Sequence, residues 1–240
     1  MHRNEDGGRG RGGPTGPGRR RVVRPLWAVW TSLGGLLLVA VCALVAHGGG
    51  VPGWERRVFR AVNELPDWLY RPMWLVQILG VLGTPVVLAV VALLWRKWRL
   101  ALALLLLVPL KLFVELRVIK ALVERGRPGQ NEPGAVLRHV PPAGLSFPSG
   151  HAIVVFAVAV LFLPYLRGWW RAVPFGLALL ACVARVYLGA HNPLDVVAGA
   201  GAGLLLGGLL TLLVGVPAAG PPGRDRGSAA RAADAGAAEG

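Results

Sequence analysis

Six long apolar runs, each bounded by arginine, tryptophan or proline, leave this chain few ways to fold. They cover residues 26–46, 74–95, 100–119, 151–166, 172–189 and 194–216. A run near 20 apolar residues matches the hydrocarbon thickness of a bilayer when helical. Only structures that satisfy every backbone group internally persist there. The fourth run is short unless its helix begins inside the preceding loop. With 54% hydrophobic residues and a mean hydropathy of +0.54, the composition also lies outside the soluble class. The expectation is an all-α polytopic membrane protein, a bundle of six transmembrane helices over residues 25–217. Residues 1–24 and 218–240, rich in Gly, Arg, Pro and Ala, hold too little large apolar surface to offset ordering entropy and read as disordered tails. The Arg19–Arg20–Arg21 run before the first span fits a retained signal anchor, since no small-residue cleavage site follows it.

The net charge is +14, almost all of it arginine. Because the cations flank apolar spans, anionic lipid headgroups and topology control account for them better than nucleic acid. With six spans both tails share a side, and that side carries 15 of the 26 cations, including the turns at Arg96–Arg99 and Arg167–Arg171. The positive-inside rule then places the tails in the cytoplasm. Trp27, Trp30, Trp74, Trp95, Trp98, Trp169 and Trp170 cluster near span ends, where an amphipathic ring prefers the headgroup layer. Cys42 and Cys182 lie in apolar runs and read as small hydrophobes. Lys111 and Glu115, four apart in the third run, are spaced to pair on one helix face. In the sixth, Gly199 and Gly203 form a small-xxx-small pair that lets another helix approach.

Three polar stretches interrupt this pattern, and the predicted topology brings all of them to the outer face. Lys120, Arg127 and Pro128 follow the third span; Pro148, Ser149, Gly150 and His151 open the fourth; Arg185, His191 and Asp195 join the fifth to the sixth. Lys120, Arg127 and Arg185 can neutralise a phosphate, the arginines with a planar fork and the lysine as a point charge. Arg185 lies at the end of an apolar span, where a guanidinium normally has an anionic partner. Ser149 is a good N-cap, and Gly150 lets backbone amides approach a ligand at a helix N-terminus. Asp195 stands four residues after His191 and can accept from one ring nitrogen, leaving the other free to attack phosphorus. His151 suits the opposite task, giving a proton to the leaving group and later taking one from water. No acidic cluster or His-x-x-x-His ladder accompanies these residues, so no metal and no cofactor is expected.

These stretches resemble the three-part signature of the type-2 phosphatidic acid phosphatase superfamily of integral membrane enzymes. Residues 120–128 read KALVERGRP, 148–151 read PSGH, and 184–195 read ARVYLGAHNPLD with the family spacing. The resemblance implies His191 as nucleophile, Asp195 as its orienting partner and His151 as general acid. Lys120, Arg127, Ser149, Gly150 and Arg185 would hold the phosphoryl group. It also implies a metal-independent hydrolase, with a lipid phosphate or polyprenyl diphosphate as partner and substrate, acting at the extracytoplasmic face of the cell membrane. Ala184 departs from the pattern, standing where the family has Ser. A lipid phosphotransferase on the same fold and a non-catalytic phospholipid-binding or transport protein are the rival expectations. The 129–147 loop and the span faces are where lipid specificity is expected.

Overall fold

In the computed structural model, residues 22–218 are described. Both expected tails therefore lie almost wholly outside the described residues. Residues 23–216 form one compact unit, and it is mostly helical. Its helices are α1 (Leu26–Ala46), α2 (Gly53–Asn63), α3 (Tyr70–Gln77), α4 (Gly83–Leu94) and α5 (Trp98–Leu112). Then follow α6 (Lys120–Leu122), α7 (Pro128–Asn131), α8 (Gly150–Phe162), α9 (Ala172–Tyr187) and α10 (Pro193–Val214). Val22–Val23 pairs with Val216–Pro217 in a two-residue ribbon.

Glycine spacing on α10 decides what it packs against. Gly199, Gly203 and Gly207 recur every four residues and so share one face, which lies on α8. A Cβ at 203 would sit 2.6 Å from the Ile153 carbonyl oxygen, and one at 199 would sit 2.5 Å from that of Ser149. Gly201 and Gly208 lie against α1, where a Cβ at 35 would come within 2.5 Å of the Gly201 carbonyl. Ser32 Oγ turns back onto the Ala28 carbonyl at 2.8 Å, so this contact stays satisfied in an apolar setting. The expected Gly199–Gly203 pair is thus a contact surface for α8. In a bilayer such backbone proximity supplies the packing that hydrophobic burial cannot.

The core runs through α8, whose residues from Ala152 to Phe156 are all buried, against Leu104 and Leu107 of α5 and Leu206 and Leu210 of α10. The outward faces are apolar too. Leu33, Leu37 and Leu44 on α1 and Val87 and Leu94 on α4 are exposed. An apolar band this wide is foreign to a water-soluble surface and natural against lipid. Trp30, Trp95, Trp98, Trp169 and Trp170, near helix ends, are exposed as an interfacial belt requires.

The spans are less regular than six equal runs. Among the described residues, α1, the 168–187 stretch and α10 are long and apolar enough to cross a bilayer. A fourth crossing results if the pair Asp67–Gly80 and Gly83–Leu94, bent by 65°, counts as one span. The third expected span is α5 followed by a π-helical stretch, Phe113–Ile119, that leads into α6. The fourth, α8, has only 13 residues, extended by a tight turn to Tyr165. The sequence reading also missed α2. Its buried residues Glu55, Phe59 and Asn63 fall every four positions on one face, while Arg57 and Arg60 turn outward.

Gly203→Ala is expected to lower the unfolding midpoint in detergent, at about 1–3 kcal/mol for a forced overlap in a packed core. Gly34→Ala, with nothing within 4 Å of the new methyl, is expected to leave it unchanged or raise it. Equal midpoints for the two variants would refute the packing role of the α8–α10 contact.

Candidate active site

Two helix N-termini meet at one end of the bundle. The Ser149 N–H, just before α8, donates to the Asp195 carbonyl oxygen in the first turn of α10 at 2.8 Å. Pro193 starts α10, and the backbone carbonyl of its N-cap Asn192 accepts from the Asp195 N–H at 3.0 Å. The Asn192 N–H donates to Asp195 Oδ2 at 2.8 Å. This arrangement fixes both the aspartate and the histidine just before it. His191 Nδ1 lies 3.7 Å from Asp195 Oδ2, close enough to pair and longer than a formed hydrogen bond. Such contacts commonly tighten when substrate arrives.

The expected residues converge unequally. His151 is the second residue of α8 and packs on Gly80, where a Cβ would stand 2.7 Å from its own. The charges of Arg185, Lys111 and Arg127 all bear on its imidazole, as does His191. Arg127 Nη1 donates to the Ala190 carbonyl at 3.1 Å, beside His191. Arg185 Nη1 meets Gln77 Oε1 on α3, while its Nε is buried with no protein partner. Ser149 Oγ is likewise buried and unpartnered. Buried polar groups are nearly always satisfied, so two such donors beside the histidines mark a place suited to an oxyanion. Ala184, 0% exposed, adds no polar atom there.

Lys120 is the outlier. Its Nζ donates to Glu115 Oε1 at 2.7 Å, and Glu115 also pairs with Lys111 at 2.5 Å. The π-helical stretch explains the three-way arrangement. The Lys120 N–H bonds the Glu115 carbonyl, an i→i+5 link that brings residues five apart onto one face. Gly150 lies directly over this cluster. A Cβ there would come within 2.9 Å of both Glu115 oxygens and of Lys111 Nζ. The expected Lys111–Glu115 pair is therefore present, and Lys120 shares its carboxylate.

Burial pushes the His191 imidazole below its ordinary pKa, and Arg185 and Arg127 add to the effect while Asp195 opposes it. Burial likewise lowers Arg127, against the pull of Asp195 and Glu115. Behind Asp195, the sequence reading missed Arg125 and Glu55, both 0% exposed. Arg125 Nη1 donates to Asp195 Oδ1 at 3.1 Å and to Glu55 Oε1 at 3.0 Å. Burial opposes the Arg125 charge, but the two carboxylates outweigh it and raise its pKa. Arg125 stands inside the 120–128 stretch and Glu55 starts an amphipathic helix, so only their shared burial distinguishes them. Gln77 also escaped notice, since its partner comes from a helix distant in sequence.

The PAP2 superfamily model matches residues 93–216. Over 81 residues the chain is 40% identical to an undecaprenyl-diphosphatase of Sulfolobus acidocaldarius, covering 33% of this chain and 37% of that protein. The matched stretches span about a third of the length of the curated relatives. Among solved structures, a transmembrane PAP2-type phosphatidylglycerolphosphate phosphatase from Bacillus subtilis is 26% identical with a TM-score of 0.63, over 76% of this chain and 94% of that one. LpxE of Aquifex aeolicus is 25% identical with a TM-score of 0.55, over 64% and 92%.

The charge triad gives a direct test. Glu115→Gln leaves Lys111 and Lys120 facing each other without a counter-charge. It is expected to destabilise the protein by about 3 kcal/mol, as breaking a buried pair commonly does. Thermal unfolding in detergent measures this; an unchanged midpoint would show that Glu115 does not hold the two lysines.

Proposed function

From the premise that this chain belongs to the PAP2 superfamily, we propose that it is a membrane phosphatase acting on a lipid-linked phosphomonoester or diphosphate. The observation that carries the reading is the meeting of two helix N-termini, with His151 at the start of α8 and His191 just before α10, Arg127 bonded beside His191, and Ser149 Oγ and Arg185 Nε buried without partners. Cations in this arrangement repel a divalent metal and attract an oxyanion. The helix N-terminus, with Gly150 at its mouth, adds amide donors of the same sign.

In this reading His191 Nε2 attacks phosphorus while Asp195 holds the Nδ1 proton. The bond from phosphorus to the leaving oxygen breaks, and that oxygen takes a proton from His151. The phosphohistidine is then attacked by water, whose proton passes to His151, and inorganic phosphate leaves with His191 restored. Arg127 and Arg185 stabilise charge on the non-bridging oxygens throughout. Lys120 joins them by exchanging part of its hold on Glu115 for the substrate. Polyprenyl diphosphate, phosphatidic acid and phosphatidylglycerophosphate all fit a cationic site set in an apolar bundle. The named activities of the relatives favour the first and the last.

Topology follows the same reading: six crossings, both tails cytoplasmic, and the site at the extracytoplasmic end. Arg24 Nε donates to the Leu212 carbonyl at 2.9 Å, and Arg99 Nη1 to that of Val214. The start of α1, the start of α5 and the end of α10 therefore share one end of the bundle. The histidines stand at the other, about 30 Å away along a helix of this length. That spacing supports a substrate whose tail lies in the outer leaflet while its headgroup reaches His191.

Purified protein is expected to release inorganic phosphate from a lipid phosphate panel, and His191→Ala and His151→Ala are each expected to lower kcat by at least about 10³-fold. Retained turnover in both would refute the mechanism. A nucleophilic imidazole must be unprotonated, and the lowered pKa of His191 keeps it so below its ordinary value. The acid limb of kcat/KM is accordingly expected below about pH 6.5. Finally, Ala184→Ser restores one hydroxyl donor. At about 0.5–1.5 kcal/mol per hydrogen bond it is expected to lower KM by about 2- to 10-fold with kcat little changed; a raised KM would show that the site has no place for it.

A further inference from the structure

Asp195 belongs to a buried charge network that the hydrolytic reading does not use. Arg125 places Nη1 between Asp195 Oδ1 at 3.1 Å and Glu55 Oε1 at 3.0 Å, and its Nη2 bonds Glu55 Oε2 and the Gly50 carbonyl. All three side chains are 0% exposed. Glu55 Oε1 also accepts from the Leu194 N–H at 2.8 Å, in the first turn of α10 directly before Asp195. The Arg125 carbonyl accepts from the Ser146 N–H at 2.8 Å, on the segment leading to Ser149. Arg125 thus joins α2 and the start of α10 through its guanidinium, and the approach to α8 through its backbone carbonyl.

A buried charge cluster is a poor way to stabilise a fold, because desolvation consumes most of the Coulombic gain. Its position against Asp195 gives it a reason. An arginine paired with Asp195 alone would neutralise the carboxylate, leaving His191 without a negative partner. With Glu55 occupying the other side of the guanidinium, the cluster holds one positive and two negative charges. The excess negative charge faces His191 from Asp195 Oδ2. We propose that Arg125 and Glu55 are positioning residues for the nucleophile: Arg125 fixes Asp195 in place, and Glu55 neutralises Arg125 so that Asp195 keeps its charge for His191. The proposal rests on the phosphohistidine reading above, in which His191 becomes cationic on attack and needs that charge most.

Around His191 the charged and titratable groups are Asp195 on α10, Arg185 on α9, Arg127 in the loop and His151 on α8. Removing either member of the brace changes this balance with opposite sign. Glu55→Gln keeps the shape and an acceptor for the Leu194 N–H but removes negative charge, so the His191 pKa should fall. Arg125→Gln removes positive charge, so it should rise. A purely structural role would move both variants in one direction, toward the ordinary histidine value. Full-length protein in detergent with ¹⁵N-labelled histidine, the His191 signal assigned through His191→Ala, reads this without turnover. The same variants are then assayed for phosphate release. The expected result is opposite-sign shifts, with kcat of Glu55→Gln reduced at least tenfold, KM within threefold, and the kcat loss cancelled in an Asp195→Asn background. Shifts of the same sign, an unmoved His191, or a kcat loss that adds to that of Asp195→Asn would overturn the proposal. If Arg125→Gln does not fold, Glu55→Gln decides alone: a lowered His191 pKa supports the brace and an unchanged one refutes it. A wild-type protein that releases no phosphate from any lipid would instead defeat the phosphatase reading, while the titration still judges the brace.

Discussion

The distance between α8 and α10 governs everything at the site. Each helix contributes one N-terminus and, at or beside it, one histidine. The Ser149 N–H bonded to the Asp195 carbonyl ties these ends together directly. That bond is reachable only because the backbones touch along the Gly199, Gly203 and Gly207 face. Larger residues there would separate the helices, and the imidazoles would part with them. In a bilayer this dependence is sharper than in water, since no hydrophobic force recompacts a loosened helix pair. The glycines that allow packing and the histidines that face phosphate in the proposed reaction are therefore two aspects of one constraint.

Convergent helix ends also set the electrostatics. Both α8 and α10 present their positive dipole ends to the same region, and Arg127 and Arg185 add full charges. Such a place is unfavourable unless negative charge enters it, and the protein supplies that charge at two depths. Asp195 and Glu55 stand behind His191, and Glu115 stands beneath Gly150. Neither position blocks the front of the imidazoles. The carboxylates reduce the cost of assembling the cations while leaving them free to meet an anion from outside.

How much of this is legible in the sequence depends on how locally each feature is encoded. The residues of the three polar stretches could be read because a proline, a glycine or a span end fixes each within a few positions. The Lys111–Glu115 pair was readable because residues four apart meet on any α-helix. Lys120 joining that pair was not, because residues five apart meet only where the helix widens to a π turn. Glu55, Arg125 and Gln77 were hidden for another reason. A charged residue at the start of an amphipathic helix or in an arginine-rich loop gives no local sign that tertiary packing will exclude water from it. The run at 100–119 signalled a span but not its π-helical end, and 74–95 did not signal its bend.

That bend is best understood from the site outward. A straight helix through residues 67–94 would pass α8 with side chains on every turn. At residue 80, however, a Cβ would come within 2.7 Å of the His151 Cβ and 2.9 Å of its ring. The chain places glycine there, tightens to a short 3₁₀ turn over Ile78–Gly80, and changes direction by 65° before Gly83. The turn sets Gly80 against His151, and one turn earlier Gln77 meets Arg185. A single interruption in an otherwise apolar span thus supports one imidazole from below and one guanidinium from the side. Regularity is given up where the 67–94 stretch reaches the site, and α4 resumes an ordinary apolar helix as soon as it has passed.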